Sequence, residues 1–210
     1  MHGHLPRLLV RAYARRGVLQ CTPQIHSEEK TMFGLNKSDT PDALDLLRSD
    51  HKEVDGLFKD FESASEGASA TARRALVAQI CDALSVHAKI EEEIFYPALR
   101  RASKEAADLL NEAAVEHQSL KDIIGRLRAA PTSDVLYDAG VKVLGEYVKH
   151  HVREEENDIF PKARSADIDL AALGTQLQQR KEELMGRMQR GSKRGKVSRS
   201  ARGGSAESRA

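Results

Sequence analysis

The chain has 210 residues, 40% hydrophobic, only 4% aromatic and 31% charged. That suffices for one globular domain with polar ends, and the abundance of Ala, Leu, Glu, Lys and Arg favours helix. No apolar run approaches the ~18 residues of a membrane span. The two cysteines, Cys21 and Cys81, are far apart and outside any C-x-x-C motif, so neither a disulfide framework nor a zinc knuckle is indicated, and a reducing, cytoplasmic setting fits.

The net charge of +1 conceals an asymmetry. Residues 1–27 carry four arginines and no acid, residues 187–210 carry eight Lys/Arg against Glu207 alone, and the body between them is left at −10. Basic ends on an acidic body can touch polyanions lightly. The tail has no interleaved aromatics, so stacking on nucleic-acid bases has no support.

Residues 1–39 read as a basic, poorly structured extension. Its apolar residues are too interrupted for a secretory signal, though the composition also suits an organelle-targeting peptide or an over-extended start before Met32. His2, His4 and His26 fall here and are set aside as ligands. The first helix is expected to open at Thr40-Pro41-Asp42, a capping residue followed by proline and an acid. Leu44, Leu47, His51, Val54, Phe58 and Phe61 then follow a 3-4-3-4-3 spacing, which puts His51 on the core stripe. After a small-residue loop at 63–70, a second helix from about Thr71 carries Leu76, Ile80, Ala83, His87, Glu91 and Ile94 on one face. Glu92 and Glu93 read as solvent-facing acids, and Pro97 is expected to kink or end this helix.

A third helix over about 103–129 turns Leu109, Ala113, His117, Leu120, Ile124 and Leu127 inward. Pro131 to Asp134 form a turn and cap. The fourth carries Val141, Leu144, Val148, His151, Glu155 and Ile159 inward, with Tyr137 and Tyr147 near the same stripe. Residues 165–190 hold a weaker amphipathic helix, packed on the bundle or on a partner subunit of a homo-oligomer. From 191 to 210, Gly, Ser, Lys and Arg predict disorder. The fold class is therefore all-α: an up-down-up-down four-helix bundle over 40–164, with one more helix and disordered ends.

The bundle contains one unit twice. HAKIEEEIFYP (87–97) and HVREEENDIFP (151–161) align at an offset of 64, so that His87 matches His151, Glu91 matches Glu155 and Tyr96 matches Phe160. A lone core histidine precedes each copy, His51 by 36 residues and His117 by 34. Histidine and glutamate four apart share a helix face, roughly 6 Å apart at Cβ. His87 and His117 both lie 15 residues from Ala102, so they stand level across the connection. At about 1.5 Å per residue all four histidines fall within one or two turns of a common layer, with the glutamates one turn on. Six such groups aimed at one core would be badly destabilising without a cation. His150 is turned about 100° from His151 and faces out, and Cys81 reads as a small residue at the core edge.

Imidazole and carboxylate without thiolate suit iron, manganese or zinc. No H-E-x-x-H or E-x-x-H is present, so metalloprotease and ferritin-type sites are not indicated. Two glutamates able to bridge point to two ions, about 3.5–4 Å apart, with positions left open for O2, peroxide or NO.

Over about residues 41–164 this pattern resembles the hemerythrin-like (HHE cation-binding) domains, through the paired H-x-x-x-E segments and their F-Y-P and I-F-P endings. The resemblance implies that His51, His87, Glu91, His117, His151 and Glu155 bind two non-haem irons joined by an oxo group, the glutamates bridging. Oxygen-carrying members have a second histidine four residues before the one matching His117, where this chain has Ala113, and they place the last acid one residue further from its histidine. Both departures point away from reversible oxygen carriage and towards peroxide or NO chemistry or iron sensing. The expected role is thus binding of a small diatomic ligand or peroxide in iron, oxidative or nitrosative stress handling. Two alternatives stand beside it: a catalase-like or NO-reducing enzyme with Tyr147 in a supporting position, and a non-catalytic module working through its basic tail.

Overall fold

A computed structural model describes residues 41–64 and 67–203. Helix α1 spans Ala43–Ala64. Its cap is Asp42, whose Oδ1 accepts from the backbone N–H of Leu44 at 2.8 Å and of Asp45 at 2.9 Å. An aspartate here satisfies two orphan donors and sets a negative charge against the positive end of the helix. Thr40, expected in that role, lies outside the described residues, as does the whole extension 1–39. Helix α2, Ala70–Ile90, starts behind Ser69, whose hydroxyl accepts from Ala72 N–H at 3.2 Å.

The expectation that Pro97 kinks or ends this helix is corrected by a local widening. Residues Glu91–Phe95 form a single π turn, in which Tyr96 N–H reaches back to the Glu91 carbonyl, and the chain resumes as α3, Tyr96–Ala102. Pro97 thereby falls at the start of a new helical segment, where a missing N–H costs least. The second copy does the same. Helix α4 (Ala107–Ala129) follows a 3-10 turn at Lys104–Ala106. Helix α5 (Tyr137–Glu154) then widens at Glu155–Ile159 and resumes as α6, Phe160–Ser165. Both π turns begin at the glutamate of H-x-x-x-E, and such turns concentrate at functional sites.

Helix α7 runs Leu170–Gly203, beyond residue 190 where disorder was expected. That stretch contains no proline, and adding residues to a nucleated helix is cheap. Residues 204–210 lie outside the described ones.

Contacts link α1 to α2, α2 to α4, α4 to α5 and α5 to α1, which closes the four-helix ring. The fifth helix, left open between bundle and partner, packs on α1 and α2 of its own chain. Gly174 permits this: a Cβ there would stand 2.8 Å from the backbone of both Pro41 and Ala43. Inside the ring lie two apolar layers. One contains Leu44, Leu47, Phe95, Leu99 and Phe160, and the other Val54, Phe58, Ile80, Leu120 and Leu144. Leu110, rather than Leu109, continues the core stripe of α4, and Cys81 is fully buried rather than at the core edge. Among the described residues no helix is long and apolar enough to cross a membrane.

Candidate metal centre

Between the two apolar layers sits a buried polar one, made of His51, His87, Glu91, His117, His151 and Glu155. These are the six groups singled out in the sequence, and the fold brings all of them together. His51, His87, Glu91 and Glu155 present ligand atoms within 4.8 Å of one another, as do Glu91, His117 and His151. The Nε2 atoms of His51 and His87 are 3.2 Å apart, and those of His117 and His151 are 3.0 Å apart. Glu91 Oε2 is 3.2 Å from His87 Nε2 and 3.5 Å from His117 Nε2, so it reaches both pairs. Glu155 Oε2 likewise lies 3.2 Å from His51 Nε2 and 3.6 Å from His151 Nε2.

What orients three of the four rings is a set of outer carboxylates that sequence reasoning passed over. Nδ1 of His51 donates to Glu156 at 2.9 Å, that of His117 to Glu92 at 3.0 Å, and that of His151 to Glu116 at 2.7 Å. Asp50 Oδ2 faces His87 Nδ1 at 3.5 Å, too far for a hydrogen bond, and that nitrogen has no hydrogen-bond partner. A carboxylate on Nδ1 fixes that nitrogen as the protonated one and leaves the Nε2 lone pair pointing inward, the arrangement that metal-binding histidines require. Glu92 is therefore not the solvent-facing acid expected from its place in the acidic run. The available signal was adjacency: Asp50 and Glu116 precede the lone histidines, and Glu92 and Glu156 follow the buried glutamates.

A second correction concerns the tyrosines. Tyr147 is 46% exposed, because it sits on the outer face of α5. The tyrosine at the centre is Tyr96, whose hydroxyl donates to Glu155 Oε1 at 2.6 Å and lies 3.5 Å from His117 Nε2. The π turn places it there, since the extra residue rotates the aromatic before Pro97 into the core.

Electrostatics follow from burial and mutual proximity. Burial and the neighbouring Glu155 push the Glu91 carboxyl well above the ordinary range. Burial acts the same way on Glu155, but His151 and His51 outweigh it and hold that group low. Burial would lower His51 and His151, yet Glu155 with Glu156 raises the first, and Glu155 with Glu116 the second. His87 stays low, burial outweighing Asp50. Burial, Glu155 and Glu91 push Tyr96 far up, which keeps it a donor.

The donors fit metal ions on two counts. Both oxygens of Glu91 and Oε2 of Glu155 are buried with no hydrogen-bond donor, a costly condition unless a cation takes them. Paired Nε2 lone pairs at 3.0–3.2 Å also repel unless a positive charge is shared. Two donors about 2.1 Å from one ion stand about 3.0 Å apart at a right angle and about 3.4 Å at the tetrahedral angle. Beside the rings, against Leu84, Leu120 and Val148, lies a cavity of about 20 Å³, room for roughly one water-sized molecule.

A buried His/Glu layer inside a helical bundle defines a cation-binding domain, and the comparisons agree. Residues 42–163 match the family described as Hemerythrin HHE cation binding domain, and the chain belongs to that family. The chain is 27% identical to a crystallised HHE cation binding domain-containing protein from Mycobacterium kansasii, a homologue of Rv2633c, with a TM-score of 0.60 over 69% of this chain and 88% of that one. The uncharacterized protein Rv2633c of Mycobacterium tuberculosis is 26% identical over 147 residues, covering 69% of this chain and 88% of its own. A protein from Nostoc sp. named DNA nickase is 28% identical over 121 residues, 58% of this chain, and the match spans only 33% of that relative's length.

Proposed function

We propose that His51, His87, Glu91, His117, His151 and Glu155 hold two non-haem iron ions, one at each histidine pair, with Glu91 and Glu155 spanning them. The protein then binds O2, peroxide or NO, in the handling of iron or of oxidative and nitrosative stress. The observation that carries this reading is the set of four Nε2 atoms gathered around glutamate oxygens that have no other partner, three of the four rings being held by a carboxylate at Nδ1. Four imidazoles and two carboxylates, without thiolate, are a donor set for iron. An iron pair supplies redox chemistry and open coordination positions for a small molecule.

The chain's own residues shape what can reach those positions. Val54, Leu84, Leu120 and Val148 wall the cavity of about 20 Å³ on the histidine side with apolar surface, which favours a small, weakly polar molecule there. On the other side, Tyr96 holds a proton at its hydroxyl against Glu155, within reach of the His117 pair. Ala113, buried beside His117, offers no donor in place of the second histidine of the oxygen carriers. That leaves room for turnover of peroxide or NO.

Elemental analysis of freshly purified protein tests the reading. Two irons per chain and a near-ultraviolet absorption band are expected, both lost in His87→Ala. Iron absent from the native chain, or unchanged in the variant, overturns it.

A further inference from the structure

The doubled unit makes each half a control for the other, and one position outside the centre differs sharply between them. In the first half the outer carboxylate is Asp50. Its Oδ2 faces His87, and its Oδ1 accepts from Lys181 Nζ of α7 at 2.5 Å, so a cation sits on its far side. On α2, Val86 and Ile90, one turn apart, are buried and apolar. In the second half the outer carboxylate is Glu116. Its Oε2 accepts from His151 Nδ1 at 2.7 Å, and its Oε1 turns outward, as Asp50 Oδ1 does. At the 64-residue offset, Val86 and Ile90 become His150 and Glu154. His150 Nε2 stands 3.5 Å from Glu116 Oε1 and 3.2 Å from Glu154 Oε1, and its side chain is 56% exposed.

We propose that Glu116, His150 and Glu154 form an outer site for a divalent transition-metal cation, occupying in the second half the place that Lys181 fills in the first. The three ligand atoms lie within 4.8 Å of one another. For donors about 2.1 Å from one ion, the 3.2 Å spacing to Glu154 falls between the right-angle and tetrahedral values, and the 3.5 Å spacing to Glu116 is slightly wider than the tetrahedral one. His150 and Glu154 are four residues apart on α5, so one helix face presents both, and α4 adds Glu116 across the groove. One imidazole with two carboxylates suits manganese, zinc or ferrous iron, and the exposure leaves further positions to water. A cation here rests on the same carboxylate that orients His151, so outer occupancy is one residue removed from the buried centre. The proposal does not depend on what the buried centre binds.

The test is titration of iron-loaded, full-length protein with Mn(II), following free Mn(II) by its EPR signal and iron by elemental analysis. The native chain is expected to bind one Mn(II) that His150→Ala and Glu154→Gln weaken by about tenfold or more, the scale at which altered metal environments register. Iron content should be the same in all three. Equal Mn(II) binding by native and variants, or none by the native chain, overturns the proposal and leaves the triad as a surface histidine between two carboxylates. An error in the iron reading would show separately, in the elemental analysis.

Discussion

In each half of the bundle the aromatic before the proline stacks on the lone histidine of the opposite half. Phe160 lies on His51 with ring centres 5.8 Å apart and planes 5° apart, and Tyr96 lies on His117 at 5.5 Å and 26°. The frames match; the difference is one hydroxyl. Tyr96 gives Glu155 a hydrogen bond at 2.6 Å, whereas Phe160 has nothing to give Glu91, and both Glu91 oxygens are left without a donor. The two carboxylates also move in opposite directions, Glu91 up through burial and its neighbour Glu155, Glu155 down because the His151 and His51 rings outweigh burial. A duplicated frame can thus hold two acids of unlike character, one of them with a hydroxyl donor that its counterpart lacks.

Removing the unsupported acid should have the largest effect. Glu91 belongs to both groups of potential ligands, so Glu91→Ala is expected to lose both ions rather than one, read as iron per chain by elemental analysis. Retention of a full complement would show that Glu91 is not shared. Erasing the hydroxyl comes next. Tyr96→Phe makes the halves alike and leaves Glu155 Oε1 buried without its donor, at a cost of roughly 1–3 kcal/mol. Urea unfolding of the iron-free protein would measure it, and no change would mean that the hydroxyl contributes nothing to the difference between the halves.

The halves also differ in cover, since α7 lies on α1 and α2. Gly174→Ala would drive a Cβ to 2.8 Å from backbone atoms of Pro41 and Ala43, which cannot yield as a flexible side chain would. A loss of about 1–3 kcal/mol is expected from such overpacking, seen as a lower thermal midpoint. An unaltered midpoint would show that the α7 seat on the first half is loose.

The helices and the six central groups were legible in the sequence because core helices keep a 3-4 spacing and because the unit occurs twice, so each histidine corroborated another. The π turns were not legible. Pro97 and Pro161 say that something must happen, but whether the helix stops or widens depends on the packing of Phe95 and Phe160 in the core. Tyr147 stands one turn before His151 in the sequence, whereas Tyr96 reaches the centre only through the extra residue of the π turn. Glu92 was lost among three consecutive acids. Only the neighbouring α4, with His117 and Lys121, distinguishes it from Glu93, which pairs with Arg180 on the outside.

That same acid gives the smallest of the expected differences between the halves. The hydrogen bond from His117, with help from Lys121 at 2.5 and 2.7 Å, draws the Glu92 carboxyl down from 4.5 to about 2 against the opposing effect of burial. A depressed native value means that unfolding binds a proton as the pH falls. The stabilisation from Glu92 is therefore complete above about 4.5 and is lost as the pH drops towards about 2. Glu156 holds His51 in the matching place, but among the described residues no lysine or arginine backs it. Urea midpoints of iron-free protein between those pH values should therefore fall less steeply in Glu92→Gln than in the native chain, and Glu156→Gln should change the slope less. The effect is expected to be modest, because a partly exposed pair is screened by solvent. Equal slopes for the two variants would mean that Lys121 adds nothing to the second half's hold on its histidine.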